Sequence, residues 1–212
     1  MSLTATTTPA STVATRSTEA ADSPSRPLHR LTVDQYDRMV QLGILNKNDR
    51  SELIEGRMVE KIRKSNDHHL PTQMLRDAFQ LGLPAGWFAL SEAPIRLARS
   101  VPEPDVMVVR GHILDLLKRK LRVDDLALIV EVSDSSYDED RTRRHYYAES
   151  GVSLYWIANI PDPRIEVYSD QSGSDYATRQ DFGWNDVVTL KLDDETTLRL
   201  PVNELMTPPE EA

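Results

Sequence analysis

Two acidic residues stand where apolar ones would be expected. In "VPEPDVMVVRG" Asp105 heads a run of β-branched residues, and in "ALIVEVSDSS" Glu131 lies near the tail of another. A carboxylate inside an apolar strand costs several kcal/mol unless it is paired or binds a metal. Two chemistries answer that cost. Hard divalent ions take one or two carboxylates together with water and substrate phosphate. Alternatively each acid pairs with one of the chain's many arginines. Geometry separates these readings: antiparallel neighbours would bring both acids to one end of a sheet, and parallel ones would put them at opposite ends. By period-two alternation Asp105, Met107 and Val109 share one face of their strand, and Ala127, Ile129 and Glu131 share one face of theirs.

The elements that must position this pair read as follows. "LTVDQYDRMVQLGIL" predicts a helix capped by Thr32, with Tyr36, Met39 and Val40 on one face and an end near Gly43. "SELIEGRMVEKI" predicts a β-hairpin turning at Glu55-Gly56. "NDHHLPTQMLRDAFQLG" predicts a second helix, capped by Asn66 or Asp67, with Pro71 in its first turn. Its apolar face comprises Leu70, Met74, Leu75, Ala78 and Phe79, and Gly82 ends it. Strands follow at Trp87 to Leu90, Ile95 to Ala98, Val106 to Arg110 and Leu126 to Val132, with a short basic helix, "ILDLLKRKL", before the last. A helix over 139–150 ends at Gly151. "SLYWIAN" and "RIEVYSD" pair around Pro161-Asp162-Pro163, and "DVVTLKL" with "TLRLPV" forms a final hairpin turning at Asp193-Asp194. This order is α+β.

Composition limits the function classes. The chain has 212 residues, 39% of them apolar and 28% charged, enough for one domain with a core. Residues 1–28, rich in Ser, Thr, Ala and Pro, read as a disordered tail, and 29–212 as the domain. No apolar run approaches the roughly 20 residues that cross a bilayer. The absence of cysteine excludes disulfides and thiolate metal sites, and it fits a cytoplasmic location. A net charge of −9 argues against gripping nucleic acid by overall charge, so any such contact must be local.

"PEPDVMVV", "LIVEVSDSS", "YYAESGVSLYWIAN" and "RIEVY" in this order resemble the Uma-two family of bacterial endonucleases. "LTVDQYDRMVQLGIL", "SELIEGRMVEK" and "HHLPTQMLRDA" resemble its amino-terminal half, so the likeness runs from about Leu31 to Leu205. The resemblance implies a PD-(D/E)XK, restriction-endonuclease-like fold: a mixed β-sheet core flanked by helices, with extra amino- and carboxy-terminal hairpins. It implies hydrolysis of phosphodiester bonds in DNA, with Asp105 and Glu131 holding Mg2+ or Mn2+, and a possible homodimer as in other nucleases of this fold.

The chain departs from that pattern at one point. The superfamily places a lysine two residues after the acid, where this chain has Ser133. Related sequences carry the lysine on the next helix, which here reads "DEDRTRRHYYAESGV" and contains none. Counting forward from Glu131 puts the equivalent position at Arg144; counting back from "YAESGV" puts it at Arg143. Arginine keeps the charge but cannot act as a base. The alternative reading is therefore a catalytically inactive relative that binds nucleic acid or a protein. Secondary candidates are Glu55, His68 and Asp134, each with a plain alternative as a solvated turn, exposed helix or turn-capping residue. "KRKLR" and "RTRRH" read as a phosphate-tracking rim or as solvated helix faces, and Tyr155 and Trp156 as core.

Overall fold

A computed structural model of the chain describes residues 28–61, 66–134 and 136–208. The expected tail over 1–28 lies outside the described residues except for Leu28. Helix α1 (Val33–Gln41) starts at a capping box in which Thr32 accepts from Gln35 N at 3.2 Å, and Leu42 caps its end. Strands β1 (Ser51–Ile54) and β2 (Arg57–Glu60) form the expected hairpin. Glu55 and Gly56 both take positive φ, 49° and 74°, as a two-residue turn of this twist requires. A side chain at position 56 would also meet Arg30 Cβ at 2.8 Å, so the turn needs glycine for space as well as for φ. Helix α2 (Asn66–Gly82) follows.

The core is a six-stranded sheet in the order β3 (Trp87–Ser91), β4 (Val106–Arg110), β5 (Leu126–Ser133), β6 (Tyr155–Asn159), β7 (Arg164–Ser172), β8 (Asp175–Gly183). Every neighbouring pair is antiparallel except β5 and β6, which are parallel and joined by helix α3 (Tyr137–Glu149). Val106, Met107, Val108 and Val109 are all buried because both faces of the sheet are covered, which explains their unbroken apolar run. One face packs Val106, Val108, Leu128 and Val130 with Leu75 and Phe79 of α2, and with the hairpin β9 (Val187–Lys191)–β10 (Thr197–Pro201) and helix α4 (Val202–Leu205). The other face packs Met107, Val109, Ile129 and Ile157 with Tyr146 and Tyr147 of α3. Among the described residues no helix is long and apolar enough to cross a membrane.

Several expectations need correction. Ile95 to Ala98 is not a strand: Ile95 N donates to Pro102 O and Leu97 N to Ser100 O, so the segment folds back on itself. "ILDLLKRKL" is a 3-10 turn over Ile113–Leu117, capped by His112, rather than an α-helix. Pro71 lies inside α2, one turn beyond its start, and the cap by Asn66 or Asp67 lies outside the described side chains. Leu70 and Val40 face solvent; Thr72 and Val33 occupy the buried stripes in their place. Strand β8 escaped the sequence reading because only Tyr176 in it is buried, and a mostly polar edge strand gives no alternating signal. Ala127 leaves the face of Ile129 and Glu131. A bulge opposite Val108 and Val109 takes it out of register, so it packs on the α2 side.

Candidate metal and phosphodiester site

The pairing of β4 with β5 decides the question of the two acids. Val106 opposes Val130 in an antiparallel ladder, so Asp105 and Glu131 meet at one end of the sheet, both about 3% exposed. Asp105 N lies 3.4 Å from Glu131 Oε2, and Val132 N donates to Asp105 Oδ2 at 2.7 Å. The site also sits at the carboxyl end of parallel β5, where α3 begins, a place where α/β sheets open a crevice.

Both flanking helices contribute. From α2, His68 is buried with Nε2 3.1 Å from Asp105 Oδ2. Thr72 braces the ring, 3.3 Å from Nδ1, while donating to the His68 carbonyl at 2.8 Å. From α3, Arg143 donates to Glu131 Oε1 at 3.3 Å, lies 3.6 Å from Asp140, and bonds Glu139 at 3.2 Å. Tyr147 OH donates to the same Glu131 oxygen at 2.8 Å. Glu52, buried on β1, stands 3.8 Å from Arg143 and accepts from Glu103 N. One guanidinium thus serves three buried carboxylates.

The electrostatics follow from that imbalance. Burial pushes Glu131 up to about 8; Arg143 opposes the shift and the neighbouring Asp105 adds to it. Burial likewise raises Glu52 and Asp140 above the usual carboxylate range, again against the pull of Arg143. Burial works against the charge on Arg143 too, but Glu131 and Glu52 hold it protonated. The hydroxyls of Ser133 and Tyr146 are buried here, beside Asp140 and Tyr147.

Of the residues singled out in the sequence, Asp105, Glu131, His68 and Arg143 converge. His68 is buried rather than exposed. Arg144 does not join them: it faces β8 and bonds Asp175 at 2.9 Å. Glu55 gives its carboxylate to Arg99 and Ser100 at the hairpin tip. Asp134 is half-buried just beyond β5. Of the basic runs, Arg119 pairs with Asp125, Lys120 with Asp37, and Arg141 with Glu166. Tyr155 and Trp156 are fully buried core. Sequence reasoning missed Glu52, Asp140 and Tyr147. Helical spacing carried the signal for two of them, because Asp140, Arg143 and Tyr147 recur three and four residues apart on one face of α3.

A mixed sheet with two acids meeting at its end and helices on both faces defines a restriction-endonuclease-like protein. The Uma2 family model, described as "Putative restriction endonuclease", matches residues 33–203, and the chain belongs to that family. Among solved structures it is similar to a protein of Anabaena variabilis ATCC 29413, described as "a putative nuclease belonging to DUF820". The TM-score is 0.64 at 16% identity, over 82% of this chain and 97% of the other. No curated protein matches.

Proposed function

We propose that the chain is a metal-dependent endonuclease that hydrolyses phosphodiester bonds in DNA. The observation that carries this reading is the antiparallel register that sets Asp105 against Glu131. Among the described residues no three His, Asp or Glu side chains form a ready cage for a metal. Mg2+ needs none, since it binds through one or two carboxylates and keeps several waters. The donors fit it: two hard oxygen ligands, both buried and meeting at one end of the sheet. Asp105 and Glu131 would hold Mg2+ or Mn2+, which when bound supplies an activated water and charge neutralisation at phosphorus.

The chain's own residues do the rest. His68 and the Val132 amide fix the Asp105 carboxylate in place. Tyr147 orients Glu131 through its hydroxyl. Arg143, only 18% exposed, keeps a permanent positive charge beside the pair and can donate to a phosphate oxygen, although it cannot take up a proton. Glu131 must lose its proton to bind metal, so affinity should rise with pH toward about 8.

One observation favours a second reading, a nuclease-fold module that binds without cutting: Arg143 already covers Glu131, and α3 has no lysine to serve as a base. Two measurements discriminate. Calorimetric titration with Mn2+ should show binding that Asp105→Asn with Glu131→Gln removes. Cleavage of plasmid and single-stranded DNA should need Mg2+ or Mn2+ and vanish in the same variant. Metal binding without cleavage of any substrate would favour the binding module, and absence of metal binding with or without DNA would sink the nuclease.

A further inference from the structure

The β1–β2 hairpin divides two grooves of opposite charge. The first, about 460 Å3, opens onto Arg143 and carries Glu52, Glu55, Glu60, Glu139 and Glu149. The second, about 920 Å3, lies between α1 and the 3-10 turn at Ile113–Leu117. Its lining includes six cations, Arg50, Lys61, Arg96, Lys118, Arg119 and Lys120, against two carboxylates, Asp37 and Glu103. In a chain of net −9 this is a pronounced local reversal.

Not all of that charge is spent inside the protein. Lys61 pairs with Glu103, Arg96 with Asp34 and Asp37, Arg119 with Asp125, and Lys120 with Asp37. Arg50 and Lys118 have no carboxylate partner among the described residues, and they line the groove from two separate segments, one before β1 and one after the 3-10 turn. Arg50 is also held in a left-handed conformation, φ 44° and ψ 44°, which a non-glycine residue adopts only under constraint. A capped turn over Lys47–Asp49 and the bond from Lys61 N to its carbonyl at 2.7 Å impose it.

Between the cations the groove is apolar. Tyr36, Val40, Leu45, Leu116 and Leu117 contribute, Leu117 being 82% exposed. The groove also adjoins the carboxylate site: Ser51 neighbours Glu52, Glu103 N bonds Glu52, and the charges of Glu103 and Glu52 join burial in raising the Tyr36 phenol.

We infer that this groove is the path of a single-stranded nucleic acid leading to the Asp105–Glu131 site, with Arg50 and Lys118 on its phosphates and its bases against the apolar floor. The inference rests on the nuclease reading above. A duplex offers phosphates but keeps its bases stacked inside, so it would leave the apolar floor uncovered; a single strand presents both. The groove on the other side of the hairpin, with five carboxylates around Arg143, is the less favourable path for a phosphate backbone.

The test is fluorescence anisotropy of labelled oligonucleotides, single-stranded and duplex, with EDTA present to prevent cleavage. The proteins are wild type, the double variants Arg50→Glu, Lys118→Glu and Arg50→Gln, Lys118→Gln, and Arg199→Glu as a remote exposed control. Wild type should prefer the single strand, and charge reversal should weaken it about tenfold at low salt. Losing two phosphate contacts should lower the slope of log K against log salt by about 1.4. Arg199→Glu should bind as wild type, and an unchanged Mn2+ isotherm should show that the groove variants are folded. The inference is overturned if the groove variants bind like wild type, or if the duplex binds as tightly as the single strand. Mn2+ binding and cleavage that survive in the groove variants would remove the path while leaving the nuclease reading intact. Groove-dependent DNA binding without any Mn2+ binding would do the reverse.

Discussion

Glu131 and Glu166 occupy one cross-strand row of the sheet, with Ile157 between them as the partner of both. Both are essentially fully buried, yet their surroundings differ. Glu166 accepts from Arg141 at 2.6 and 3.2 Å, from Arg179 at 2.6 Å, from Tyr168 at 2.7 Å and from Tyr137. Burial alone would raise it, but these bonds outweigh burial and hold it down at about 2. Glu131 has one tyrosine, the Asp105 amide at 3.4 Å and a share of one arginine, and it is pushed up to about 8. A buried carboxylate with surplus donors closes a structural joint. One with a deficit is left wanting positive charge, and a divalent cation would supply it.

The largest effect should come from exchanging each acid for its amide. Glu166→Gln should cost about 3 kcal/mol in urea denaturation, the low end for breaking a buried pair because both arginines are partly exposed. Glu131→Gln should stay within about 1 kcal/mol of wild type at neutral pH while losing Mn2+ binding. Similar losses of stability in the two variants would erase the contrast. Next, Arg143→Met should cost about 2 kcal/mol at pH 8, where Glu131, Glu52 and Asp140 lose their shared cation. That cost should shrink toward pH 5 as those acids protonate.

The pH dependence separates the two acids further. Glu131 is raised, so its contribution to stability is complete below its ordinary value of 4.5 and is lost as pH climbs through about 8. Glu166 is lowered, so its contribution is present above 4.5 and is lost as pH falls toward 2. Denaturation midpoints should therefore lose their decline between pH 4.5 and about 8 in Glu131→Gln, and their decline below pH 4.5 in Glu166→Gln. The smallest effect belongs to Arg144→Ala. It should cost less than about 1 kcal/mol and leave the Mn2+ isotherm unchanged, because the Arg144–Asp175 pair is partly exposed and away from the site.

How much of this was legible in the sequence depended on which residues carried the signal. A carboxylate within an apolar run marks itself, so Asp105 and Glu131 were visible, and the fold around them followed from β-branched runs, caps and turn glycines. The choice between Arg143 and Arg144 was not open to counting along the chain, because a one-residue difference turns a side chain about a quarter of the way around a helix; the face shared with Asp140 and Tyr147 decides it. Glu52 sits in a short hairpin whose inward side depends on what packs over it. His68 is buried by a contact with a strand distant in sequence. Neither fact is encoded locally.

The bulge at Ala127 bears on how this protein can change length. Downstream of it, Met107 opposes Ile129 and Val106 opposes Val130, so the bulge absorbs a phase difference before the chain reaches Glu131. The register that sets Glu131 against Asp105 is thus fixed on the β5 side of the bulge, downstream of Leu126 and of the connection from Gly111. A graft in that connection would therefore keep Asp105 opposite Glu131 while displacing the groove wall that carries Lys118.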